Sequence, residues 1–500
     1  MSRIYEKHIQ GARSVSHSAI CAPWISPTRL IRELGLPGSG TYILLDSAGG
    51  NPHLCRYSFL AWDSRLELTV REGKAAISSS DGHDPADMST DHIEVSDPFA
   101  LLRLLLADLT PEVVAGANEA GMPVAGGAFG MLGYDAGRYI ENLPSLATDD
   151  LGLPEFHLIF PRKLICYDHQ AGTAHLFFED PAAGEMASAE EALRVQSLSR
   201  EAFDEVSAGR HEFSLSYDTQ SNMTQESFMQ IVERAKEYII AGDIFQSNLS
   251  QRLELEYDGD SLVLYEALRA VNPSPFAGFL DMGDYQLISS SPERLVQLDG
   301  REAQTRPIAG TRRRGVDNAE DDNLREELNL DPKERAEHIM LVDLERNDMG
   351  RVCDYGSVRV DELMVNEAYS HVTHIVSNVQ GELYRTRDAV DLLRAMFPGG
   401  TITGCPKVRC MEIIDELEPV RRGPYTGSFG YIGYNGNMDM NIIIRTLVRI
   451  GDSVFVQAGA GIVADSDPER EYRETLRKAE AMVRAVHLAK NTVPDAEPMI

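Results

Sequence analysis

The stretch DSDPEREYRETLRKAEA, residues 465–481, sets Glu471, Glu474 and Lys478 three and four positions apart. On a helix those side chains fall within a stripe roughly 60° wide. Two acids and an amine on one line suit a solvated face laced by Glu–Lys pairs. They also suit a pocket wall for a hard cation, which prefers oxygen ligands, though such stripes on helices are more commonly solvated faces. A second stretch, DPKERAEHIMLVDLERNDMGRV (331–352), repeats the acid spacing with Glu334 and Glu337, flanked by Lys333 and His338. One such helix decides nothing, but two could bring their carboxylates toward one point. Mg²⁺ would take one or two of them directly, with water and substrate completing the octahedron and the outer glutamates acting through waters.

These side chains need elements to hold them. Asp465, Ser466 and Asp467 can cap a helix that starts at Pro468, and Leu476, Ala479 and Met482 supply its apolar side. ESFMQIVERAKEYIIAGD reads as an amphipathic helix ending near Gly242. Strand-like runs recur, among them TYILLDS, YQLISS, LVQLDG, THIVSNVQGEL and SVFVQAGAGIV, many joined by short turns. The class expected is α+β: large antiparallel or mixed sheets with helices packed outside. The polar stretch 204–224 reads as the main connection between an N-terminal portion (1–205) and a C-terminal one (220–490). GAFGMLGYD (127–135) and GSFGYIGYN (427–435) share five of nine residues, and both read as glycine-rich strands with close backbone approach.

Bulk composition sets limits. Five hundred residues imply two domains or one large interleaved fold. The net charge of −31 argues against a nucleic-acid surface and means that an anionic substrate needs a local basic pocket or a metal. No apolar run reaches membrane-spanning length, and the first twenty residues lack a signal-peptide core, so a cytoplasmic location is expected. The six cysteines show no framework or zinc-ligand spacing.

Several long segments occur in one order: SSSPERLV, TRPIAGTRRRG, KERAEH…LVDLERNDMGRV, SHVTHIVSNVQG, PGGTITGCPKVRC, RRGPYTGSFGYIG, NIIIRT and QAGAGIVADSDPEREYRET. Together they resemble the chorismate-utilising enzymes, the large subunits of anthranilate and aminodeoxychorismate synthases, with isochorismate and salicylate synthases as more distant relatives. The resemblance is strong over about 224–485 and looser over 40–160.

The resemblance implies a substrate, chorismate, with two carboxylates and a leaving 4-hydroxyl. Its ring carboxylate would be held through Mg²⁺, with Glu337 and Glu474 matching the direct ligands and Glu334 and Glu471 the adjacent acids. Arg445, Tyr425 and backbone N–H groups near Gly459 and Gly461 match the site for the second carboxylate, and Lys478 a further pocket base. Glu293 matches the general acid, Thr311 lies beside it, and His374 matches the histidine associated with pyruvate loss. Lys407, in a Gly/Pro turn, is left open between pocket base and loop lysine. Water-using members carry a lysine where this chain has Gln246, which favours ammonia. Aminodeoxychorismate enzymes usually carry a nucleophilic lysine where this chain has Ala309. The implied reaction is therefore amination at C2 to anthranilate, in tryptophan biosynthesis, with aminodeoxychorismate formation as the alternative. A separate glutamine amidotransferase subunit would deliver the ammonia, since this chain has no GxCxG elbow. A candidate tryptophan site falls on Ser47 of LLDS and on Asn272, Pro273 and Ser274 of NPSPFAGFL. There Asp46 stands for the usual glutamate, and Phe276, Ala277 and Gly278 for larger residues, so a roomier pocket is expected.

Overall fold

A computed structural model describes residues 15–49, 54–79, 89–107, 119–196, 219–315, 317–368 and 372–492. Most of the connection expected at 204–224 thus lies outside the described residues. Among the described residues the strands join through hydrogen-bonded neighbours into one 22-stranded system. The named strand pairs are antiparallel, and the isolated bridge Thr148–Val420 is parallel. The expected α+β class holds.

The two portions share that sheet. Tyr42–Asp46 pairs with Phe276–Asp281, and Gly127–Leu132 pairs with Ser428–Gly433. The second pair is the echo seen in the sequence, with Gly130 directly across from Gly430. A Cβ at Gly130 would stand 2.2 Å from the His157 carbonyl oxygen, and one at Gly430 would stand 2.0 Å from that of Asp439. Any side chain there would therefore part the sheet. One apolar core is built from both portions: Phe59, Phe129 and Phe156 pack with Val296, Met438 and Ile442.

Three helices frame the site. Gln225–Ala241 is stopped by left-handed Gly242, as its sequence predicts. Pro332–Gly350 carries the first acid pair. Pro468–Asn491 carries the second, capped by Asp467, whose carboxylate accepts from the Arg470 N–H. The long helix buries Ala479, Met482, Val483 and Val486, which fixes the face that its acids and Lys478 must leave.

Candidate functional site

Two paired strands make the floor. Gln246–Glu256 runs antiparallel to Ser453–Ile462, with Asn248 opposite Gly461 and Ser250 opposite Gly459. Side chains alternate along a strand, so Gly459 and Gly461 fall on one face. That face is kept bare for a reason. A Cβ at Gly459 would stand 2.3 Å from Asn248 Oδ1 and 2.8 Å from the Tyr425 hydroxyl. One at Gly461 would stand 2.5 Å from Gln246 Nε2 and 3.5 Å from Glu337 Oε1.

Each of the two acidic helices reaches this floor. Gln246 Nε2 donates to Glu337 Oε1 at 2.8 Å. Lys478 Nζ donates to the Gly459 carbonyl at 3.0 Å and stands 4.0 Å from Glu474 Oε1. Burial pulls the Lys478 amine below its ordinary pKa, and the charges of Glu474, Glu471 and Glu337 hold it up, while Arg445 pushes it further down. One amine thus feels acids from both helices. Arg445 Nη1 donates to the Lys478 carbonyl, and its backbone is left-handed at φ 53°, a strained conformation for an arginine. Tyr425 is buried beside it, and burial raises its phenol pKa.

The proposed acid sits behind these groups. Glu293 is buried, and burial pushes its carboxyl up to about 7, with the Thr401 hydroxyl, the Ile308 N–H and the Lys478 charge acting in opposition. Its Oε1 is buried without a hydrogen-bond partner. His374 lies on Val372–Glu382, paired with the strand that carries Ala309 and Thr311. Its Nδ1 is 3.4 Å from the Gly310 carbonyl oxygen. Burial, aided by nearby Arg445, lowers its imidazole to about 4, so it is neutral at pH 7. Ala309 is half-buried on the same strand; the Thr311 side chain, like that of Lys333, lies outside what is described.

Other expectations sort differently. Glu334 is engaged by Arg312 at 3.2 Å. Among the described residues no three His, Cys, Asp or Glu side chains gather as a metal cluster. Glu337 from one helix, and Glu474 and Glu471 from the other, all act on the Lys478 amine. That donor set suits a hard ion which keeps waters and takes a ligand oxygen, as Mg²⁺ does, and not a closed protein cage. The space in front of Gly461 is taken by the Gln246 amide, which donates to Glu337 Oε1. His338 turns inward to Ser377 Oγ, 2.5 Å away, which is a packing role. Lys407 is not a pocket base: its Nζ meets Asp348 Oδ2 at 2.5 Å and donates to the Met396 carbonyl.

Three groups gave no clear signal in the sequence. Asn248, on the floor, has a buried Oδ1 without a partner. Glu345 and Asp348 are buried on the Glu337 helix. Asp348, eleven residues from Glu337, is close to three whole turns away, whereas Glu345, at eight, lies about 80° round the helix.

The candidate tryptophan residues also come together. The Ser47 hydroxyl donates to the Tyr57 carbonyl at 2.8 Å and lies 3.5 Å from that of Pro275. A Cβ at Gly49 would reach within 2.9 Å of Pro273. Asn272 and Ser274 are instead tied to Ser290 Oγ. A cavity of about 760 Å³ opens beside Ser47, Phe276 and Ala277. The expected roominess is corrected at Gly278, where the space of a side chain is taken by the Leu44 carbonyl, at 2.9 Å, and the Phe429 ring, at 3.0 Å.

A family model for chorismate binding enzymes matches residues 57–484. The chain belongs to this family. It is a chorismate-utilising enzyme. It is 43% identical over 449 residues to the aminodeoxychorismate synthase component 1 of Bacillus subtilis, covering 90% of this chain and 92% of that one. It is 42% identical over 461 residues to the anthranilate synthase component 1 of Acetivibrio thermocellus, covering 90% and 91%. The crystal structure of anthranilate synthase component I from Streptococcus pneumoniae superposes with a TM-score of 0.71 at 33% identity, covering 87% of this chain and 93% of that one. The expected fold and enzymatic class both stand.

Proposed function

We propose that the chain is the large subunit of an anthranilate synthase, which aminates chorismate at C2 with ammonia and eliminates pyruvate. The observation that carries this reading is Ala309. On the strand paired with His374 it offers a methyl group where covalent attack on the ring would need an amine. Gln246, bonded to Glu337, cannot deprotonate water. External ammonia is then the nucleophile, and a separate glutamine amidotransferase subunit is its source.

Arg445, Tyr425 and the backbone beside Gly459 hold the enolpyruvyl carboxylate; the guanidinium fork matches its geometry. Glu337 and Glu474 are the residues that would hold Mg²⁺, with Glu334 and Glu471 outside them, and the bound ion would offset the ring carboxylate's charge and draw electrons toward it. Glu293, protonated up to about neutral pH, gives its proton to the 4-hydroxyl, which leaves as water while ammonia's lone pair forms the bond at C2. Neutral His374 is then available to take the C2 proton as the C3–O bond breaks. Pyruvate departs and the ring becomes aromatic.

A second reading, aminodeoxychorismate formation, is favoured by Phe276 and Ala277 at the cavity, which resemble that branch. The two are separated by product analysis with chorismate, Mg²⁺ and ammonium. Anthranilate fluorescence rising with pyruvate supports the first; a stable amino-chorismate that aromatises only with an added lyase supports the second.

A further inference from the structure

One buried ion pair ties the floor strand to the segment that carries Tyr425, and the mechanism leaves it unused. Arg422 and Glu418 lie four residues apart, with side chains 1% and 3% exposed. Arg422 Nε donates to Glu418 Oε2 at 2.9 Å and Nη2 to Oε1 at 2.7 Å, the fork geometry that fits a carboxylate. Glu418 Oε1 also accepts from the Ser250 N–H at 2.8 Å and from its hydroxyl at 2.9 Å. Ser250 is the residue opposite Gly459. The other guanidinium N–H groups reach further. Nη2 donates to the Asn248 carbonyl at 2.6 Å, and Nη1 donates to the Ile402 carbonyl at 3.0 Å and to the Thr426 hydroxyl at 3.2 Å. All five N–H groups of the arginine are thus placed.

These contacts end on the segments that line the glycine floor. Thr426 follows Tyr425 and is left-handed at φ 61°, and its hydroxyl donates to the Tyr425 carbonyl at 2.6 Å. The Tyr425 N–H donates to the Arg422 carbonyl at 3.1 Å, and the guanidinium carbon stands 5.5 Å from the centroid of the Tyr425 ring. Asn248 lies opposite Gly461, and its Oδ1, with the Tyr425 hydroxyl, bounds the space in front of Gly459. A buried ion pair is weak evidence for stability, because apolar residues of similar volume often serve as well. What apolar residues could not do is hold two backbone carbonyls and a hydroxyl in fixed directions from one planar group.

We propose that Arg422, clamped by Glu418, is a positioning residue for the site of the enolpyruvyl carboxylate: it holds the Tyr425 segment against the floor strand, so that the tyrosine hydroxyl faces the backbone at Gly459. Arg422 is too buried to touch the substrate and acts through Tyr425. The proposal rests on the reading of Tyr425 as a holder of that carboxylate.

The test is a double-mutant cycle read on chorismate KM and kcat, with Mg²⁺ and saturating ammonium. Tyr425→Phe is expected to raise KM about tenfold, the worth of one hydrogen bond to a charged group, with kcat within about threefold of wild type. Arg422→Lys keeps the charge and loses the fork, and is expected to raise KM by a similar factor. The double variant R422K/Y425F should have a KM no more than about twofold above that of Y425F, because the arginine acts through the hydroxyl already removed. Where R422K does not fold, the pair replacement Glu418→Leu with Arg422→Met leaves no lone buried charge and takes its place in the cycle. A merely structural arginine would lower the active fraction, and so kcat, and leave KM alone. A loss confined to kcat, a wild-type KM in the Arg422 variant beside a raised one in Y425F, or a double variant with KM raised about a hundredfold, the product of two independent effects, overturns the role of Arg422 alone. An unchanged KM in Y425F overturns the carboxylate reading and this proposal with it.

Discussion

Asp46 and Glu293 are both buried carboxyls close to where strands of the two portions meet, and their surroundings differ in kind. Asp46 accepts from Trp24 Nε1 at 3.1 Å, the Ser58 hydroxyl at 3.3 Å, the Tyr265 hydroxyl at 2.9 Å and Arg269 Nε at 3.0 Å. Glu293 has one oxygen buried without a partner. A carboxyl that accepts from four side chains ties together the segments that carry them. A buried carboxyl with one oxygen left unpaired keeps its proton to higher pH and is available for chemistry, at a cost in stability. The difference teaches that the N-terminal site is built to be filled by its own side chains, and the C-terminal one to be completed by a ligand.

Variants should therefore separate function from stability. Glu474→Gln is expected to abolish detectable turnover while leaving the unfolding transition in place, because its partners Arg477 and Lys478 are at the half-exposed edge of the site. Normal activity in that variant would remove Glu474 from the metal assignment. Glu293→Gln should lower kcat by about 10²- to 10⁴-fold, the usual worth of a positioned acid, again without loss of fold. Asp46→Ala should do the reverse. It strands the Tyr265 hydroxyl and the Trp24 N–H, takes away the acid paired with Arg269, and should cost about 3 kcal/mol of stability. Its kcat per folded molecule should stay near wild type; denaturant unfolding and active-site-normalised rates check both halves.

The proton held by Glu293 gives a smaller, graded effect. Its carboxyl is raised to about 7, so the acid form is lost as pH climbs through neutrality, and the rate should fall on the alkaline side. The native chain also keeps this proton where the unfolded chain has released it. Between pH 4.5, the ordinary glutamate value, and 7 this group's contribution to stability should therefore decline as pH rises, a slope that E293Q removes. A rate that stays flat from pH 6 to 9, with ammonia held constant, would place the proton elsewhere.

How much of the fold and site is legible in the sequence depends on how local each signal is. The helix carrying Glu474 and Lys478 is readable because Asp467, Pro468 and its apolar period are local. The paired echo strands are readable as glycine-rich places of close approach, whereas the crowding at Gly459 and Gly461 is not. What joins them is not. The Gln246–Glu337 bond spans 91 residues and the Lys478–Gly459 bond depends on how one helix lies on one strand. Glu334 reads as the twin of Glu337, but Arg312 claims it, and only the tertiary pairing decides that. Lys407 reads as a possible base because its partner, Asp348, is far along the chain. At Gly278 the missing side chain suggests space, yet Phe429 of a distant strand fills it.

Tryptophan sensitivity is the finest test of the same contrast. A zwitterionic amino acid needs an acceptor for its ammonium group and donors for its carboxylate. Asp46 is the buried anion beside this region, and its oxygens already face Trp24, Ser58, Tyr265 and Arg269. Ser47 spends its hydroxyl proton on the Tyr57 carbonyl, and Asn272 and Ser274 are tied to Ser290. The cavity beyond them is bounded by the ion pair of Arg294 and Asp439, closed on itself at 2.9 Å. A tryptophan entering would have to break bonds that the side chains already make, and would gain little apolar contact from Ala277. Millimolar tryptophan should therefore change the rate with chorismate and ammonia by less than about twofold. Strong inhibition at micromolar tryptophan would mean that these bonds open at little cost, and that the N-terminal site, like the catalytic one, is completed by a ligand.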